Sequence, residues 1–138
     1  MIKAYLTVIP TLYEGEDIQI RYSVYEDETN LFQEMVMLEY RKPAVAGQFS
    51  VITLLKRLAE FKKEEVLVYI NDASLDEFLK GTSRTRNVDM LKMARETRKH
   101  MDRYEHLQIV NVSNDKQMLA KWREKVEFGP TMAPLGPS

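Results

Sequence analysis

At 138 residues the chain is one domain's worth of sequence, long enough to bury roughly two-thirds of the surface its unfolded form exposes, so it is expected to fold alone. Its 44% hydrophobic and 30% charged residues, with a formal net charge of -1, are ordinary for a soluble globular protein and exclude wholesale attraction to polyanions, leaving room only for a local basic patch. The absence of cysteine removes disulfides, thiolate metal sites and a cysteine nucleophile, while the lack of a bilayer-length apolar run or a secretory-type start in Met1 to Pro10 makes cytoplasmic residence without a membrane partner the expectation.

Residues 2–9 are rich in β-branched and aromatic side chains and end at Pro10, which cannot donate to a continuing ladder, so they are read as strand one. After a loop containing Gly15, Ile18, Ile20, Tyr22 and Val24 alternate with Gln19, Arg21, Ser23 and Tyr25, the period of a half-exposed strand two. A polar turn over 26–30 follows. Phe32, Glu34, Val36, Leu38 and Tyr40 then share one face of strand three, opposite Gln33, Met35, Met37, Glu39 and Arg41. The short connections favour an antiparallel meander. The pattern breaks over 42–47, after which Val51, Leu54, Leu55, Leu58 and Phe61 recur at helical spacing, predicting a helix from about Gln48 to Lys63.

Val66 to Ile70 is an apolar run without alternation, as in a strand covered on both faces. In open α/β sheets ligands bind beyond the carboxyl ends of such strands, which makes Asn71 and Asp72 the first candidates for chemistry. Ser74 and Glu77 form a capping-box pattern for a short helix that ends at Gly81. Asn87 is placed to cap a long helix with Val88, Leu91, Ala94, Met101 and Tyr104 near one face. Leu107 to Val112 reads as strand five, and Ser113-Asn114-Asp115 opens a last helix with Leu119, Trp122 and Val126 on its apolar side. Right-handed crossovers would set the last two strands parallel to strand one. The expected architecture is an α/β fold with a mixed five-stranded sheet, a three-strand antiparallel meander plus two parallel strands, and helices on both faces. Residues 1–128 form the domain and 129–138, rich in proline and glycine, a flexible tail.

This element order, the segment Val66 to Gly81 and the run Asn87-Val88-Asp89-Met90-Leu91 resemble the ribonuclease H family over about residues 2–127. The resemblance implies a site of four carboxylates holding two Mg²⁺ ions about 4 Å apart, one activating water and one stabilising the leaving oxygen. The first acid of that set would fall near Thr7 to Ile9, yet the first acid of this chain is Glu14. The second would fall near Ser50, and no acid lies between Glu39 and Glu60. Asp72 matches the third position and Asp115 the fourth, while the glycine- and histidine-rich loop of bacterial members is missing before the last helix. Two carboxylates do not neutralise two divalent ions, so the resemblance implies a degenerate active site with no cofactor beyond a weak Mg²⁺ at Asp72. A nuclease that recruits Glu14 or Glu39 is the enzymatic alternative. The plainer reading of Asp72 and Asp115 is as helix-capping or first-turn residues without any metal.

Arg84, Arg86, Lys92, Arg95, Lys99 and Arg103 make a basic stripe along the loop and helix of residues 84–103. Such a stripe suits phosphate contacts with RNA, DNA or a hybrid, or is simply a solvated helix face with i,i+4 partners. His100 and His106 are read as surface residues, Trp122 as core, and Met90, Met93, Met101 and Met118 as gap-fillers. Tyr5, Tyr25 and Tyr69 suit a nucleic-acid face or plain strand propensity. No phosphate-binding glycine loop, nucleophile elbow or zinc spacing occurs. The expected function is nucleic-acid binding by a catalytically degenerate domain, with a protein-interaction scaffold as the alternative.

Overall fold

The computed structural model describes residues 1–9, 17–39, 43–82 and 84–127. The expected tail 129–138, Glu14, Tyr40 and Arg41 lie outside these residues. Five strands, β1 (Ile2–Ile9), β2 (Ile18–Glu26), β3 (Thr29–Leu38), β4 (Glu65–Ile70) and β5 (His106–Asn111), form one sheet in the order β3-β2-β1-β4-β5. The meander is antiparallel, and β4 and β5 run parallel to β1, as the sequence pattern predicts.

The central strands separate two cores because their alternate side chains serve opposite faces. Ile2, Ala4 and Leu6 of β1 join Val66, Val68 and Ile70 of β4 beneath Val51, Leu54, Leu55 and Leu58 of helix α1 (Pro43–Arg57). On the other face Tyr5 stacks on Tyr69, centroids 4.9 Å apart and planes 12° from parallel, under Trp122 and Val126 of helix α4 (Lys116–Val126). Trp122 is core, as predicted, and its Nε1–H donates to the Leu6 carbonyl at 2.9 Å. Helix α2 (Ala73–Leu79) precedes α3 (Val88–Met101), which packs on α1 and α2 rather than on the sheet.

Several boundaries differ from the sequence reading. Helix α1 starts at Pro43, five residues before the predicted Gln48, because proline is tolerated in a first helical turn and Gly47 lies inside the helix. A Cβ at Gly47 would stand 3.2 Å from Leu75 Cδ2, so its glycine permits close approach of α1 and α2. The helix ends at Arg57, and Ala59–Phe61 forms a separate 3-10 turn. The β2–β3 connection is tighter than predicted: Asp27 and Glu28 alone turn the chain, Asp27 at φ 54°, and Thr29 and Asn30 belong to β3. Helix α2 is capped by Asp72, whose Oδ1 accepts from Leu75 N at 3.0 Å, and not by Ser74. Its end at Gly81 is as predicted: at φ 75° Gly81 N–H reaches the Phe78 carbonyl and Thr82 N–H the Glu77 carbonyl.

On α3 only the second half of the expected apolar face turns inward, with Met101 and Tyr104 at the main core. Val88 and Leu91 are 74% and 42% exposed, and the fully buried position is Thr97, whose hydroxyl donates to the Met93 carbonyl at 2.7 Å. No helix among the described residues is long and apolar enough to cross a membrane.

Candidate functional site

The parallel pairing of β1 with β4 ends at Tyr5↔Tyr69, and beyond it Thr7 and Asn71 line the same cavity. At this end of the sheet a cavity of about 90 Å³ opens, its polar lining supplied by Thr7, Ser50, Asn71 and Asp72 with Trp122 as one wall. The positions that the resemblance assigns to three acids therefore converge in space, although only one of them carries a carboxylate. Strand ends deliver Thr7 and Asn71, the buried side of α1 delivers Ser50, and the cap of α2 delivers Asp72.

The polar groups here are largely committed to the protein. Ser50 is fully buried and its hydroxyl donates to the Gly47 carbonyl at 2.6 Å. One Asp72 oxygen caps α2. The Asn111 side-chain oxygen accepts from Asp72 N at 3.2 Å, Ser113 N at 3.3 Å and Ser113 Oγ at 2.7 Å, and Ser113 Oγ lies 2.9 Å from Asn71 Oδ1. This clasp joins the ends of β4 and β5. No local pattern in the sequence announces it, since Asn111 and Ser113 look like ordinary strand-end residues.

A pair of Mg²⁺ ions does not fit this donor set. Two divalent cations bring four positive charges, and the cavity offers one carboxylate, two hydroxyls and an amide. Among the described residues no three His, Asp or Glu side chains come together to hold a metal ion. Asp115 does not line the cavity; its Oδ1 accepts from Gln117 N and Met118 N, both at 3.1 Å, as the cap of α4. Glu39 follows β3 at the same end of the sheet, but β2 separates that strand from β1.

The six basic residues form a second feature. Arg84, Arg86, Lys92, Arg95, Lys99 and Arg103 are all exposed, along the loop before α3, on α3 itself and just after it. Lys99 pairs with Glu96 at 3.2 Å, and Arg103 Nη1 lies 3.5 Å from His100 Nδ1, whereas Lys92 and Arg95 have no ion-pair partner among the described residues. Arg98 acts structurally: its Nη2 donates to the Leu79 carbonyl at 2.5 Å, at the end of α2. His100 is partly buried, and burial, reinforced by Arg103 and Lys56, holds its pKa below the ordinary imidazole value. His106 is exposed, as predicted.

No protein-family model matches the sequence, and no curated protein matches it. Solved structures do. The ribonuclease H1 of the halophilic archaeon Halobacterium salinarum superposes with a TM-score of 0.72 at 12% identity, over 85% of this chain and 89% of that one. The LC11 ribonuclease H1 from compost, solved in complex with an RNA/DNA hybrid, gives 0.72 at 17% identity, over 91% and 94%. The N-terminal ribonuclease H domain of Rv2228c from Mycobacterium tuberculosis gives 0.68 at 13%, over 85% and 90%. With the strand order and the position of the cavity, these matches show that the chain has the ribonuclease H-like fold.

Proposed function

We propose that residues 1–128 form a catalytically degenerate ribonuclease H-like domain that binds nucleic acid through the stripe Arg84, Arg86, Lys92, Arg95, Lys99 and Arg103. The observation that carries the reading is the contrast between two surfaces. The cavity offers Thr7 and Ser50 where metal-assisted cleavage needs acids, while Lys92 and Arg95 stand exposed without ion-pair partners among the described residues. One structure of this fold, LC11 ribonuclease H1, is in complex with an RNA/DNA hybrid, which supports a hybrid as the first probe.

The test is fluorescence anisotropy with a labelled RNA–DNA hybrid, duplex DNA and single strands across a salt series with Mg²⁺ present. Six phosphate contacts give a log–log salt slope of about -5, and Arg95→Ala with Lys99→Ala brings it to about -3.5. A slope unmoved by the double substitution removes the stripe from the mechanism. Metal-dependent cleavage that Asp72→Asn abolishes would instead establish an active nuclease with relocated ligands. A second reading, a protein scaffold without nucleic acid, is favoured by the exposed Val88 and Leu91 within the same surface, and absence of binding to every probe selects it.

A further inference from the structure

Strand β3 is ten residues long and closes one side of the sheet, so one row of its backbone N–H and C=O groups has no strand beside it among the described residues. Natural edge strands are commonly protected by charge, proline or a bulge that twists the edge away. Here there is no proline. The one charged residue, Glu34, points to the α1 side, where its carboxylate accepts from Arg57 Nε at 2.9 Å, Arg57 Nη2 at 3.0 Å and the Tyr22 hydroxyl at 2.6 Å. The single register shift lies at Val24/Tyr25, beside the turn, and leaves the rest of the ladder regular. On the opposite face Met35 and Met37 are 44% and 57% exposed, and Leu31 at the register shift is 39% exposed, making three of the six large hydrophobic residues exposed among the described residues. Helix α4 reaches β1 and β2 on that face, with Lys125 Nζ 4.5 Å from the Tyr25 ring centroid.

We propose that β3 is a self-association edge, and that a second copy of this chain pairs with it antiparallel about a two-fold axis at Met35. The strand's own sequence selects that register. A two-fold axis perpendicular to the sheet keeps each residue opposite one of the same face, so the axis must pass through a residue. Centred on Glu34, the pairing would set two carboxylates directly opposite each other, which is unfavourable. Centred on Val36 it pairs only Glu34 through Leu38, and centred on Phe32 or Gln33 it runs across Leu31, where the register shift breaks the regular ladder. Centred on Met35 it pairs Phe32 through Leu38: Met35 meets Met35, Met37 meets Gln33, Phe32 meets Leu38 and Glu34 meets Val36, with no like charges opposed. The exposed methionines and the free ladder are then covered together, forming a ten-stranded sheet with both α1 layers on one side.

The experiment is sedimentation of the full chain from micromolar to sub-millimolar concentration, beside Met35→Lys, Met35→Cys and Leu31→Cys. The expected wild-type mass rises towards twice the monomer. Met35→Lys, which sets two ammonium groups together at the axis, stays monomeric. Because the chain has no cysteine, each cysteine variant carries one thiol. Opposed residues lie within disulfide reach, so Met35→Cys oxidises to a covalent dimer, whereas Leu31→Cys, several residues from its own copy, does not. A wild type that stays monomeric overturns the proposal and leaves the edge for an extended segment of another protein. A dimer that survives Met35→Lys, or equal cross-linking by both cysteine variants, overturns it as well.

Discussion

Tyr104 shows how much a single buried side chain decides. It follows α3, is buried in the main core, and its hydroxyl donates to the Leu55 carbonyl of α1. Burial pushes its pKa up to about 12, from about 10 for a free phenol. A raised folded-state value means a contribution to stability that is whole below about pH 10 and disappears as pH rises through about 12. Tyr104→Phe is expected to cost about 1 kcal/mol near neutrality, the net worth of one hydrogen bond. Urea unfolding should show that difference shrinking above pH 10, and a constant difference would refute the assignment. Gln48 behaves oppositely. It is buried between α1 and α3, its Nε2 has no partner among the described residues, and Thr97 Oγ1, 3.5 Å from Oε1, already gives its proton to the Met93 carbonyl. Gln48→Met is expected to raise stability by about 1 kcal/mol, because the orphaned donor disappears while the volume is kept. Reading the sequence alone placed Gln48 in a helix but gave no sign that it was buried, since polarity argues for exposure.

At the scale of elements, the caps separate local from tertiary information. Asn87 and the Gly81 stop were legible because they depend on neighbours in sequence. At the start of α2 the capping-box pattern of Ser74 and Glu77 does not act, and Asp72 takes the cap, the helix-capping role that its position in the sequence also allows. Asn111 holds the Asp72 N–H from the neighbouring strand, which fixes the chain's entry two residues earlier. Asp72→Ala should therefore lower stability by about 1 kcal/mol and Ser74→Ala by much less. Chemical denaturation of the two variants measures this, and the reverse order would restore the capping box. Helix α3 illustrates the same limit. Its apolar periodicity is clear, but how much of the stripe faces inward depends on what packs against it, so Met101 and Tyr104 join the core while Val88 and Leu91 point outward.

For the molecule as a whole, the lone tryptophan reports on the cavity. Trp122 forms one wall of it while tying α4 to β1. Since the donor set does not fit Mg²⁺, titrating Mg²⁺ into the protein is expected to leave Trp122 emission unchanged. A saturable change at physiological concentration, lost in Asp72→Asn, would show that the cavity holds the ion after all.

The sequence by itself determined the element order, the strand faces, the missing acids near Thr7 and Ser50, and the basic character of residues 84–103, because periodicity and composition are local properties. Only the tertiary structure decided that Thr7, Ser50, Asn71 and Asp72 line one cavity, that Asn111 and Ser113 clasp the strands beside it, and that β3 is an edge of the sheet among the described residues. Those facts arise from pairing β1 with β4 and seating α1 across them. The paired residues of β1 and β4 lie 64 positions apart, a separation over which no local pattern in the chain constrains its partners.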